Sequence, residues 1–324
     1  MTNKNTFLGL MYGIIAGASW GLAYLVPNML SAFSSLEISL GRYLMYGLYS
    51  LFLFFFYKKN PLKISLKIWL RALQYALIGN LGYFFFLVLG IKLVGASVAT
   101  LIIGILPITI SFFGNLRNRE FPFKILFFPS AFVLVGMIIL CLNGGQNGPS
   151  IDPSEKAQLL GIFFCLTALA LWTWYGVSNA HLLKDDCQIS SDFFSTIIGI
   201  QTLVLVLVVS LVSILLKQPI LHRILIHRDL SKYVVGIIVL GIFTSWIATW
   251  AWNNASIKLP VSIAGMMIVF ETVFGLLYSY LYNKELPSLS EFFCIALVLF
   301  GVALAIWKTN KYKRSSKKHH QAVI

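Results

Sequence analysis

The chain has 324 residues, 58% of them hydrophobic and 11% charged, with a formal net charge of +14. Apolar runs long enough to cross a bilayer fill nearly its whole length and leave no stretch of domain size between them, which excludes a water-soluble catalytic or ligand-binding domain. A nucleic-acid-binding role is excluded too, because Lys and Arg do not gather on one face but fall in short groups between the apolar runs.

Ten spans are read in chain order, near residues 7–28, 36–57, 69–90, 94–116, 122–142, 158–180, 192–216, 233–253, 260–282 and 288–307. About 20 residues at 1.5 Å each cross a hydrocarbon core of roughly 30 Å, so each span is predicted to be a transmembrane helix. The short alternating segments of a membrane β-barrel do not occur. The first span starts after Lys4 much as a signal peptide does, but no cleavage region precedes Pro27, and it is read as a retained helix. Within it Gly9, Gly13, Gly17 and Gly21 recur every four positions, a thin face on which another backbone packs closely or slides. Trp20, Tyr24 and Pro27 fall on or beside that face toward the far end, so they are candidates for the substrate pathway.

In the second span Arg42 lies within the apolar run and does not neutralise itself by losing a proton. It either snorkels or pairs structurally, or it binds an anion such as a substrate carboxylate; Tyr46 continues its face. Glu37, at the span edge, is read as interfacial. Asn80 and Tyr83 in the third span offer hydrogen bonds near midplane, and Pro107 predicts a kink with a freed carbonyl in the fourth. The sixth span carries Trp172 in "WTWYG", and the eighth carries Trp250 in "SWIATWAW" with Asn253 after it; these are further pathway candidates, with helix packing as the competing role. The ninth holds Glu271, about 16 Å along its helix and so close to midplane. A carboxylate there must be protonated, paired or open to a wet cavity. Substrate binding or gating, proton coupling and a structural bond all stay open for it. Gly275, a packing position, and Tyr278, a pathway candidate, continue its face.

Charge reports topology. With both termini in the cytoplasm, Lys58, Lys59, Lys63, Lys67, Arg71, Arg117, Arg119, Lys124 and a six-residue basic set from Lys308 to Lys318 collect on that side, as the positive-inside rule requires. The basic connection 217–232 disagrees and is read as an amphipathic interfacial segment. Cys141, Cys165, Cys187 and Cys294 lack metal-like spacing and are read as packing residues. There is no phosphate loop, no H-E-x-x-H and no pair of intramembrane aspartates, so neither a cofactor nor a metal is expected.

The chain also repeats itself. Residues 9–28 align with 161–180, placing Trp20 over Trp172; "GIKLVGASVAT" from Gly90 matches "ASIKLPVSIAG" from Ala255; and "NRE" ending at Glu120 matches "NKE" ending at Glu285. Five spans per copy is an odd number, so the copies are inverted, as in many secondary transporters. The expected fold is therefore all-α, ten transmembrane helices in two inverted five-helix repeats, with domains at 1–150 and 151–310 and a basic tail at 311–324.

With "AGASWGLAYLVP", "GRY", "GNLGYFF", "IIGILPI" and "IVFETVFGLLY", the whole chain resembles the EamA type of the drug/metabolite transporter superfamily. The resemblance implies a multi-pass bacterial inner-membrane carrier that moves small metabolites, often amino acids, usually outward. The acidic residue that the small multidrug members carry in their first helix is absent here, so their coupling mechanism does not transfer. The expected partners are a small-molecule substrate, membrane lipids and, for an exchanger, protons, with the chain a monomer or homodimer. A facilitator without proton coupling and an intramembrane lipid-modifying enzyme are the alternatives.

Overall fold

A computed structural model describes residues 3–57, 64–144, 155–185, 190–218 and 220–322. The regular elements among the described residues are all helical: α1 (Asn3–Met29), α2 (Ser35–Phe54), α3 (Leu66–Tyr75), a π-helical segment (Ala76–Gly82), α4 (Tyr83–Ile103), α5 (Leu106–Asn118), α6 (Phe123–Gly144), α7 (Glu155–Asp185), α8 (Ser191–Leu215), the short α9 (Ile220–Ile226), α10 (Leu230–Val239), a second π-helical segment (Leu240–Ile247), α11 (Ala248–Lys258), α12 (Val261–Met267), α13 (Val269–Asn283) and α14 (Leu289–Ala322). Among the described residues nine continuous helical stretches are long and apolar enough to span a bilayer. The tenth rod, α2, has 20 residues and carries Glu37 and Arg42. Large apolar side chains such as Phe55, Leu70, Phe127, Leu207 and Leu281 cover the outside of the bundle. In water such a surface would associate; against acyl chains it is the solvated face.

Local chemistry sets where the rods begin and break. Ser34 and Glu37 form a reciprocal cap at the start of α2. Glu37, at the span edge, is also buried as a cap and pairs with Arg223 of α9 at 3.1 Å, so one charge of the discordant basic connection has its partner there. The third and fourth spans run on with almost no loop, because Gly95 takes a positive φ of 80° that lets the chain reverse. The fourth span breaks again between α4 and α5, with Pro107 in the first turn of α5, and the ninth breaks between α12 and α13. Cys187 and the side chain of Cys141 lie outside the described residues; Cys165 and Cys294 are buried free thiols.

Packing follows the sequence repeat. Here α2 lies against α8, α6 against α14 and α5 against α12, each joining one span to its counterpart in the other half. In addition α4 packs on α7 as α11 packs on α1, and the two π segments occupy matching places in spans three and eight, one against α8 and the other against α2. This mutual exchange of partners is the contact pattern of an inverted repeat. The glycines of α1 lie on the ninth span: a Cβ at Gly9 would meet Leu259, at Gly13 Met267, at Gly17 the Phe270 backbone, and at Gly21 the backbone of Gly275. Ten passes bring both ends of the chain to one side, here termed the terminal face.

Candidate functional site

Where the rods break, they enclose a cavity of about 350 Å³. Both π segments, both helix breaks and the aromatic positions of spans one and six converge on it. A π turn is wider than an α turn, and carbonyls of these two segments accept from side chains of α2. Two of these fix adjacent residues of α2: the Thr244 carbonyl accepts from Arg42 Nη2 at 3.1 Å, and the Asn80 carbonyl accepts from the Tyr43 hydroxyl at 3.3 Å. Arg42 Nε also donates to Ser245 Oγ at 2.9 Å, and the guanidinium carbon stands 5.4 Å from the centre of the Tyr43 ring. Arg42 therefore reaches the bundle interior and lines the cavity rather than snorkelling outward.

Glu271 lines the same cavity. It stands in the first turn of α13, and its own N–H donates to the Ile268 carbonyl at 2.9 Å across the break. Its carboxylate has no hydrogen bond or salt bridge among the described residues. A cation held by acceptors and an unpaired carboxylate thus share one pocket, together with the Thr100, Thr249 and Thr272 side chains. Its floor is aromatic. Trp20 and Trp172, the pair aligned by the repeat, meet edge to face at 5.5 Å, and Tyr83 and Tyr175 flank Trp172 at 6.4 and 5.9 Å.

Of the residues read as pathway candidates, Trp20, Tyr24, Arg42, Asn80, Tyr83, Pro107, Trp172 and Glu271 are brought together around this cavity. Asn80 Nδ2 also donates to Thr202 at 2.8 Å. The remaining four face other helices. Tyr46 donates to the Ser195 carbonyl at 2.9 Å, and Asn253 donates to Ser195 Oγ at 2.8 Å while accepting from Asn179 at 2.6 Å. Trp250 meets Tyr12 of α1 edge to face with rings 5.3 Å apart, and Tyr278 donates to the Ala18 carbonyl at 3.1 Å. Tyr43, Tyr175 and Ser245 line the cavity but were not singled out by sequence. For Tyr43 and Tyr175 the available signal was adjacency to Arg42 and to the "WTW" cluster. Ser245 carried none, since hydroxyls are common within spans.

The EamA-like transporter family model matches residues 7–142 and 159–307, one copy in each half. The chain is 30% identical over 304 residues to the Inner membrane protein YtfF of Escherichia coli (strain K12), covering 92% of this chain and 94% of that protein. It is 22% identical over 314 residues to YyaM of Bacillus subtilis (strain 168), named an uncharacterized transporter, with 94% of each chain covered. A crystal structure superposes with a TM-score of 0.75 at 17% identity, covering 94% of this chain and 98% of the other, which establishes likeness of fold.

Proposed function

We propose, for a chain that belongs to the EamA-like transporter family and is thereby a multi-span secondary transporter rather than an enzyme, that this cavity carries a small zwitterionic metabolite, an amino acid or a related amphipathic compound, by alternating access with net export. The observation that carries the reading is the held Arg42 guanidinium sharing one pocket with the unpaired Glu271 carboxylate above an aromatic floor. A planar guanidinium matches a substrate carboxylate, Glu271 matches an ammonium group, and the Trp20–Trp172 floor suits an apolar side chain. The terminal face is assigned to the cytoplasm by its basic loops, and the multi-pass placement in a bacterial inner membrane agrees with the name of the E. coli relative. The repeats are taken as 1–150 and 151–310, followed by the tail 311–324.

Glu271 is also the candidate for proton coupling, because a carboxylate that exchanges a proton for an ammonium group would tie the two fluxes together. Reconstitution in sealed liposomes tests this by exchange of labelled amino acids with and without an imposed pH gradient. The expected result is saturable flux that the gradient accelerates in the parent protein and leaves unchanged in Glu271→Gln. Saturable flux indifferent to the gradient would identify a facilitator in which Glu271 binds or gates. Absence of flux for every amino acid would overturn the substrate class.

A further inference from the structure

The two faces of the bundle are closed to different degrees. On the terminal face Glu120, just after α5, accepts from the Val261 N–H at 2.6 Å, the Ser262 N–H at 2.9 Å and the Ser262 hydroxyl at 2.6 Å. Lys184 at the end of α7 stands 3.7 Å from the same carboxylate and donates to the Leu259 carbonyl at 2.8 Å. One carboxylate of the first half is therefore tied to the start of the ninth span, and through Lys184 to the sixth. Beneath this tie α5 and α12 meet at backbone distance: a Cβ on Gly265 would stand 2.7 Å from the Ser111 backbone nitrogen, and one on Gly114 would stand 2.6 Å from Val261.

The opposite face has the same parts disengaged. Glu285 corresponds to Glu120 in the repeat, and the backbone before each agrees, since Arg119 (φ 48°) and Lys284 (φ 58°) both end their helices in the left-handed conformation. Yet Glu285 is exposed, and its carboxylate has no hydrogen bond or ion pair among the described residues. By symmetry its target is the reversal at Gly95, where an added Cβ would meet nothing within 4 Å. Nor do α4 and α13 pack along one another as their counterparts α12 and α5 do. The cavity reaches Ile91, Ala99 and Thr100 on this side.

From this asymmetry we infer that Glu120 and Glu285 are alternating latches of the transport cycle: Glu120 holds the terminal face shut in the present state, and in the other state it lets go while Glu285 caps the start of the helical stretch after Gly95. Both are positioning residues, acting through α12 and the second part of α4 rather than on the solute. A carboxylate suits the task because backbone N–H groups at a helix start, with a nearby hydroxyl, bind it strongly yet reversibly. The inference rests on the alternating-access reading.

Hydrogen–deuterium exchange of the purified full chain in lipid nanodiscs tests it, following peptides that cover 259–267 and 92–103. In Glu120→Gln, exchange over 259–267 is expected to quicken about tenfold, equivalent to about 1.4 kcal/mol in the state ratio, while exchange over 92–103 slows. The reciprocal slowing is the decisive part. Loss of a local cap alone would loosen 259–267 and leave the other face untouched, and that result overturns the proposal. Glu285→Gln is expected to do the reverse, quickening 92–103 and leaving 259–267 protected; if Glu120→Gln does not fold, this variant decides alone, and unchanged exchange refutes the latches. Added labelled amino acid that shifts both faces reciprocally in the parent, with neither variant altering the balance, would remove the latches and leave alternating access standing. No reciprocal change in any form would remove both.

Discussion

Arg42 and Glu271 were legible in the sequence because a charge inside an apolar run costs free energy that something must offset. What offsets it was not legible. Arg42 is held by Ser245 and by a carbonyl of the second π segment, and neither feature has a sequence signature distinct from an ordinary span. This makes Ser245 a positioning residue with a specific consequence. Ser245→Ala is expected to raise the KM for a carboxylate-bearing substrate by up to about tenfold, from loss of a charge-assisted hydrogen bond, with maximal flux within about twofold of the parent. Equal losses in both parameters would point to general damage instead. Arg42→Lys is expected to recover little of the flux lost in Arg42→Ala, because an ammonium cannot keep both acceptors and also present a planar fork to the solute; transport assays of the two variants side by side check this. Tyr46, Trp250, Asn253 and Tyr278 show the limit of residue-type reasoning. Their chemistry suits a solute, but their position around the helix directs them to neighbouring helices.

At the scale of elements, the glycine spacing of α1 predicted a close helix contact without naming the partner. The partner is the broken ninth span, and tolerance differs sharply along the bundle. A Cβ at Gly17 would stand 2.9 Å from the Phe270 carbonyl carbon and 3.0 Å from the Glu271 nitrogen, so backbone would have to move. At Gly176 the nearest atom is the tip of Ile110 at 3.2 Å, which can yield. Gly17→Ala is therefore expected to lower stability by about 1–3 kcal/mol and to displace Glu271, whereas Gly176→Ala should change it by less than about 0.5 kcal/mol. Thermal unfolding in detergent, run beside the flux assay, measures both. Pro107 announced one of the two helix breaks, and the repeat alignment set it beside Glu271. The matching break before α13 has no proline in it, and it lies where the ninth span packs on α1 and α5. The π segments were not legible, since they preserve the apolar pattern and only widen the turn.

For the whole molecule, the cytoplasmic placement of the terminal face is our proposal from the charge distribution. A cysteine placed in the tail at Ser315 is accordingly expected to resist a membrane-impermeant thiol reagent in intact cells and to react after the membrane is opened; labelling in intact cells would reverse the orientation. Amino-acid order alone determined that this chain crosses the membrane about ten times, that it does so in two related halves of opposite sense, and that charged groups lie within the membrane. Those properties follow from apolar run length, an odd number of spans per copy and the cost of burying charge, each of which is local or additive along the chain. Tertiary structure alone decided which polar groups share a cavity and which hold helices together, because that depends on the rotation of every helix against its neighbours. It also decided that Glu120 is engaged while Glu285 has no such partner, because two loops of like sequence meet different neighbours on the two faces of the bundle.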